Sequence, residues 1–242
     1  MTNPAERALY LQIVDSLMAK IEAGELAPGD KVSSERDLSK QLQVSRMTVR
    51  HAMSALYVRG LLHREQGRGT FITEPKLEEL TNTLFSFTES MLRKGITPGA
   101  RLLRLQRIPA TRSVSGELHV PLGQDVYYVN RLRLANQEPM VIEHSFFPAT
   151  LFPGLDKYDL EMQSIYRILE SEYSVCLAQA SQSYEPTMAN EEESDLLKIP
   201  LGAPLMLVRR TAFDKQGRPV EHAKDLYRGD RSRFVSRMIF RG

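Results

Sequence analysis

Read for the spacing of its apolar positions, the chain divides into a helical first third and a strand-rich remainder. Tyr10, Ile13, Val14, Leu17 and Ile21 recur at the interval of one helical face from about Arg7 to Glu22, and Gly24 with Pro28-Gly29 ends that run. Ser34 precedes Glu35-Arg36-Asp37 as an N-cap precedes an acidic first turn, and Leu38 and Leu42 give the short helix that follows an inward side. After the brief turn Gln43-Val44, Ser45 caps a helix reaching Arg59. Its Val49, Ala52, Met53 and Leu56 fall on one stripe, and Met47, Arg50, His51 and Ser54 on the other. Gly60 ends it at C′, and residues 61–65 and 70–73 read as two strands of a hairpin around Gln66-Gly67-Arg68-Gly69.

Past a polar, proline-broken stretch at residues 74–79 the texture changes. Alternation predicts strands at 101–108, 126–135, 140–147, 177–185, 205–213, 220–227 and 234–240, with helices at 87–94, 164–172 and 189–198. Strand pairs returning through 135–139 and 214–219 imply antiparallel hairpins. The expected fold class is therefore α+β: a winged helix-turn-helix at residues 1–74, a linker at 75–85, and an antiparallel sheet domain with helices at 86–242.

Composition changes this picture in two ways. With 242 residues, 42% hydrophobic and 26% charged, the chain has room for two cores. Its formal net charge of +2 is too small to hold a polyanion by itself, so nucleic-acid binding needs a local patch. Such a patch exists: from Arg46 to Arg68 the arginines 46, 50, 59, 64 and 68 face one acid, Glu65. Two short helices joined by a tight turn place the second in a DNA major groove. Ser45 then brings the helix N-terminus and Arg46 to a phosphate, and Ser34, Thr48 and backbone amides fix register on the backbone. Either Arg46 or Arg50 pairs with a guanine, a contact worth roughly 1–3 kcal/mol of discrimination. Gly67 and Gly69 let the wing pass close to a groove while Arg68 reaches in. Taken alone, residues 45–59 also fit an ordinary amphipathic helix with solvated arginines. Cys176 is the only cysteine, which excludes an internal disulfide framework and a thiolate zinc cluster. The N-terminus has no apolar signal core and no run approaches a membrane span, so the expected setting is the cytoplasm with no membrane partner.

The runs Leu26-Ala27-Pro28-Gly29-Asp30, Ser34-Glu35-Arg36-Asp37-Leu38, Val44-Ser45-Arg46-Met47-Thr48-Val49-Arg50 and Gly67-Arg68-Gly69-Thr70-Phe71 resemble the winged helix-turn-helix of GntR-type bacterial transcription regulators, over residues 8–73. The resemblance implies that Arg36, Arg46, Thr48 and Arg50 touch the operator, with Gly67 and Arg68 at the wing. Met47 and His51 stand where many relatives carry a small polar residue and a glutamate or glutamine, so base preference does not transfer. From about residue 80 on, Ser86-Phe87-Thr88-Glu89, Arg131-Leu132-Arg133, Glu143, Ser164-Ile165-Tyr166 and Tyr227-Arg228-Gly229-Asp230-Arg231 resemble the UTRA ligand-sensing domain of the HutC branch, whose fold is like that of chorismate lyase.

Read as residues, Arg131 and Arg133 lie two apart on a strand and leave the same face, beside Val129 and Tyr127. Pairing of Leu134 with Met140 would set Arg131 opposite Glu143. One outcome is a solvent-facing ion pair worth less than about 1 kcal/mol. The other is an anion site in which the twin arginines fork a phosphate or carboxylate and Ser164, Tyr166 and Thr88 complete its shell. The resemblance implies that Phe87, Thr88, Arg131, Arg133, Ser164 and Tyr166 hold the phosphate of an amino-sugar phosphate and that Glu143, Glu221 and Tyr227 contact the sugar. Other members of the branch sense carboxylates, other sugars or amino acids. The expected protein is a homodimeric repressor bound to double-stranded operator DNA and released by a small anionic effector, without cofactor or metal. An enzyme reading finds little: His51, His63, His119, His144 and His222 have no ligand spacing and no G-x-S-x-G surrounds Ser145. Glu143 with Glu221 would make an acid/base pair only if one carboxyl escaped ionisation beside the arginines. A DNA-binding module whose second part merely dimerises is the third class.

Overall fold

A computed structural model describes residues 4–65 and 67–238 and separates into two compact units that meet between Lys76 and Leu77. In the first, α1 (Pro4–Glu22), β1 (Lys31–Val32), α2 (Glu35–Leu42) and α3 (Arg46–Val58) precede a hairpin of β2 (Leu62–Glu65) and β3 (Gly69–Ile72). Ile13, Val14, Leu17, Leu38, Val49, Ala52, Met53 and Leu56 form one core, closed by Leu62 and Ile72 of the hairpin. The predicted stripe of α3 is buried, and Arg46, Met47, Arg50, His51 and Ser54 are exposed. Arg59 caps α3 and Gly60 follows at φ +70°, where a β-carbon would be strained. One element was not predicted: β1 adds a third strand in the order β1-β3-β2.

Both short helices start on the expected serines. Ser34 Oγ accepts from the Asp37 amide at 3.2 Å and donates to its carboxylate at 2.6 Å. Ser45 Oγ accepts from the Thr48 amide at 3.1 Å and lies 2.8 Å from the Thr48 hydroxyl. Ser45→Ala is therefore expected to cost about 1 kcal/mol in urea-induced unfolding of the first unit, while a cost under about 0.3 kcal/mol would show that the cap is not needed.

The second unit begins earlier than expected. Residues 77–80, read from sequence as linker, form β4 (Leu77–Leu80), which pairs in parallel with β11 (Ser232–Val235). Between them come α4 (Phe87–Arg93), β5 (Pro98–Pro109), α5 (Arg112–Leu118), β6 (Asp125–Ala135), β7 (Glu138–Pro148), α6 (Ile165–Tyr173), β8 (Leu177–Met188), α7 (Glu191–Leu197), β9 (Pro204–Asp214) and β10 (Pro219–Arg228). Six strands make one antiparallel sheet in the order β5-β6-β7-β10-β9-β8. The strand expected at 234–240 ends at Val235, and its last residues lie outside the described ones. Helix α5 was not predicted.

Both predicted hairpins are present. Asn136 and Gln137, at φ 48° and 68°, turn β6 into β7 with the paired positive φ that matches strand twist. Leu134 faces Pro139 rather than Met140, and an irregularity between Arg133 and Leu134 absorbs the extra residue, so Arg131 still sits opposite Glu143. Across the sheet, Arg131, Glu143, Asp225, Val208 and Tyr184 form one row, and Val129, Ser145, Ala223, Arg210 and Gln182 the next. Ile165, Ile168 and Leu169 of α6 pack with Tyr127, Val129 and Phe147 on this face, and Met91 of α4 packs with Val141. On the opposite face, Val114 and Leu118 of α5 pack with Val126, and Leu197 of α7 with Leu132, Ile142 and Leu226.

Candidate functional site

In the first unit the candidate DNA-contacting residues come from three places. Ser34 and Arg36 begin α2, Ser45, Arg46, Thr48 and Arg50 occupy the first turns of α3, and Gly67 and Arg68 form the tip of the wing. Arg50 Nε donates to Glu35 Oε2 at 3.2 Å, so Glu35 bridges the start of α2 to the solvent side of α3. Tyr57 and Thr70 hydroxyls meet at 2.7 Å and tie the wing to the far end of α3. Gly67 takes φ +77°, and the Arg68 guanidinium lies 5.6 Å from the Phe71 ring centroid. Seven of the eight are exposed. Thr48 corrects the expectation: it is 4% exposed with its hydroxyl on Ser45, so its side chain serves the helix cap and is not offered to a phosphate.

The second unit holds a buried polar site between its sheet and the helices α4 and α6. The surface ion pair considered from the sequence does not form: Arg131 and Arg133 are 5% and 4% exposed. Arg131 donates to Glu143 Oε2 through Nη2 at 2.7 Å and Nε at 3.1 Å, and to the Leu160 carbonyl through Nη1 at 3.0 Å. Arg133 donates to the same Glu143 oxygen at 3.3 Å, to Thr88 Oγ1 at 2.9 Å and to the Gly99 carbonyl at 3.4 Å. Its guanidinium lies 4.7 Å from the Phe87 ring centroid. Two buried guanidiniums thus share one carboxylate oxygen through charge-assisted hydrogen bonds. Burial opposes ionisation of Glu143, but Arg133, Arg131 and Arg210 outweigh it and hold the carboxyl down at about 2.

Ser164, Tyr166 and Glu221 line a cleft of about 20 Å³ with these arginines, enough for roughly one water. Tyr166 donates to Glu221 at 2.5 Å and Ser145 to its other oxygen at 3.0 Å. Phe87 and Glu143 also border a cavity of about 280 Å³ walled by Tyr227, Tyr184, Gln182 and Phe234. The nine candidate effector residues are thus contiguous, with Tyr227 on the 280 Å³ cavity and Thr88 on a third recess of about 300 Å³ that Ser164 and Tyr166 share with the cleft.

Two residues of this site escaped the sequence reading. Arg210 of β9 borders both the cleft and the 280 Å³ cavity, and Asp225 of β10 lies beneath it at 1% exposure, with 3.3 Å between Arg210 Nη2 and Asp225 Oδ2. The usable signal is phase: Arg210 alternates with Val208 and Ala212, and Asp225 with Ala223 and Tyr227, all on the inward face.

Burial pushes the Asp225 carboxyl up to about 8 against the pull of Arg210. The folded state then keeps a proton that the unfolded chain releases above the ordinary 3.8, so this contribution to stability is full at low pH and is lost as pH rises toward about 8. Glu143 has the opposite sign: its contribution is present above 4.5 and lost as pH falls toward about 2. His144 and His222, held below 6.5 chiefly by burial, add stability as pH rises through that value. Asp225→Asn isolates the first of these: in thermal unfolding, the advantage of wild type over the variant is expected to shrink from pH 5 to pH 8, and a difference that does not vary with pH would contradict the assignment.

A winged helix-turn-helix joined to a sheet domain with a buried arginine site defines a two-part DNA-binding protein. Residues 9–72 match the bacterial regulatory proteins of the gntR family and residues 93–233 match the UTRA domain, and the chain belongs to this family of transcription regulators. It is 42% identical over 230 residues to the HTH-type transcriptional repressor NagR of Bacillus subtilis (strain 168), covering 95% of this chain and 94% of that one. It is 30% identical over 229 residues to the mannosyl-D-glycerate transport/metabolism system repressor MngR of Escherichia coli (strain K12), covering 95% of each. Among solved structures, PhnF from Mycobacterium smegmatis superposes with a TM-score of 0.67 at 25% identity, over 96% of this chain and all of that one. The protein is a transcription regulator that binds operator DNA, and not an enzyme. No helix among the described residues is long and apolar enough to cross a membrane.

Proposed function

We propose that this repressor acts in the cytoplasm as a homodimer and is released from its operator by a small anionic sugar derivative, foremost a sugar phosphate or amino-sugar phosphate. Arg36, Arg46, Arg50 and the wing residues Gly67 and Arg68 meet the duplex, with the exposed Ser34 and Ser45 at the cap positions nearest its backbone. Two copies related by a two-fold axis place their α3 helices on half-sites of a palindrome. The observation that carries the effector reading is the sharing of one carboxylate, Glu143, by two buried guanidiniums beside a cavity.

An incoming anion competes with Glu143 for Arg131 and Arg133, with Ser164 as a further donor and Tyr166 as another once its hydroxyl leaves Glu221. Glu143, Glu221 and Tyr227 then face the sugar body. The release has a physical route within the second unit. Arg133 holds Thr88 of α4, Ser90 of α4 and its C-cap Lys94 hold Glu79 of β4 at 3.0 and 2.9 Å, and β4 begins at the junction with the first unit. An effector that changes the Arg133–Thr88 contact therefore biases the segment on which the DNA-binding unit is hung.

A thermal-shift panel of hexose phosphates, amino-sugar phosphates, inorganic phosphate and small carboxylates tests the reading. A micromolar ligand at hundredfold excess over its Kd stabilises by about 2.7 kcal/mol. A shift confined to phosphorylated sugars supports the proposal, a shift confined to carboxylates replaces the effector class, and none with any anion contradicts it. The stated relatives support sugar-linked regulation: one is named as a mannosyl-D-glycerate system repressor.

A further inference from the structure

The three arginines of the buried site are not equally engaged. Arg131 and Arg133 commit all three guanidinium nitrogens to hydrogen bonds, with Glu143, Leu160, Thr88 and Gly99 as acceptors. The Arg210 side chain is only 12% exposed, yet it makes no hydrogen bond among the described residues. Its Nε lies 3.5 Å from Glu221 and its Nη2 3.3 Å from Asp225, which are ion-pair separations without hydrogen-bond geometry. Nε is fully buried and unpartnered, as is Asp225 Oδ1 below it. A buried donor left unmade is costly, so an acceptor that reaches the under-bonded Arg210 guanidinium gains more there than at the satisfied Arg131 and Arg133.

Position adds a second, independent argument. Arg210 borders both the arginine cleft and the 280 Å³ cavity, so a molecule whose anionic group enters the first and whose body fills the second passes over it. In register, the neighbour separating Arg210 from Ser145 is Ala223, so no long side chain stands between Arg210 and the cleft residue Ser145.

Resting on the effector reading above, we propose that Arg210 is a specificity-determining contact: it donates to an oxygen of the ligand's uncharged body, so the site selects anions that carry a hydroxyl or ring oxygen over bare anions. Arg131 and Arg133 answer for charge, and Arg210 answers for what is attached to it.

Calorimetric titration of the full chain with glucosamine 6-phosphate and with inorganic phosphate tests this, using wild type, Arg210→Lys and Arg210→Gln. The lysine keeps a positive charge beside Glu221 and Asp225, which guards against loss of folding, and retained operator binding verifies each variant. Arg210→Lys, which keeps the charge, is expected to bind inorganic phosphate as wild type does and glucosamine 6-phosphate about tenfold or more weakly, and Arg210→Gln, which also removes a charge from the cleft, to lose more for glucosamine 6-phosphate than for inorganic phosphate. Unchanged affinity for glucosamine 6-phosphate would overturn the proposal. Equal losses for both probes would also overturn it, by making Arg210 part of the charge site. Wild type that binds neither probe would remove the sugar-phosphate reading itself, and this proposal with it.

Discussion

Arg50→Ala is expected to lose about tenfold to a hundredfold or more in affinity for the specific operator while binding the effector as wild type does, since one bidentate base contact is worth roughly 1–3 kcal/mol. Arg50 stands on the exposed side of α3, one turn past the Ser45 cap. Its contact with Glu35 is exposed, with side-chain accessibilities of 53% and 35%, so giving it up for a base costs less than about 1 kcal/mol. That exchange gives a second arm: Glu35→Gln removes the competitor and is expected to tighten binding slightly, with the gain largest at low salt. Val49 and Ala52, its neighbours in α3, are fully buried, so truncating Arg50 leaves the core untouched. Anisotropy titration with specific and scrambled duplexes measures the effect. Wild-type affinity in Arg50→Ala would remove this residue from the recognition surface.

Arg131→Ala is expected to bind operator normally but to lose effector-dependent release by a hundredfold or more in effector concentration. The guanidinium makes two hydrogen bonds to Glu143 and one to the Leu160 carbonyl, so its removal strips the anion site of its best-oriented donor. It also leaves Glu143 with Arg133 alone, and breaking a buried pair costs about 3–5 kcal/mol. Arg131→Lys therefore accompanies it: a point charge replaces the planar fork, which preserves folding but loses bidentate capture. Release titrations with both variants give the answer. Normal release of either by the natural effector would show that Arg131 is not an effector ligand.

Legibility from sequence followed the range of the interaction responsible. The two serine-capped helices, the glycine that ends α3 and the hairpin turn at Asn136-Gln137 are local events, and each was visible in a few neighbouring residues. Strand β4 was not, because Leu77–Leu80 is a strand only through partners some 155 positions further on, at Ser232–Val235. Two-residue β1 is too short to show alternation, and α5 offers one apolar pair, Val114 and Leu118, around Gly116.

The same distinction governs the site. Arg131 and Arg133 announced a shared face by their spacing, but their burial depends on α4 and α6 packing over the sheet, which spacing does not reveal. The Arg131–Glu143 pairing came out as expected although the turn register behind it was off by one, because the irregularity beside Arg133 corrects the offset. Arg210 was hidden in the pair Arg209-Arg210, where one residue pairs with Glu185 at the surface and the other points inward. Thr48 erred in the other direction: its motif position indicates a backbone contact, and its burial assigns the side chain to the cap.

The first unit holds a duplex, and we propose that the second loosens that hold when a small anion enters the arginine site. Fluorescence anisotropy of a labelled duplex carrying the chain's own promoter region, titrated first with the protein at low ionic strength and then with the anion that gives the largest thermal shift, measures both halves in one cuvette. The predicted result is saturable binding that is reversed by the anion and abolished by Arg50→Ala. No binding to that duplex, or occupancy that persists at saturating anion, would contradict it.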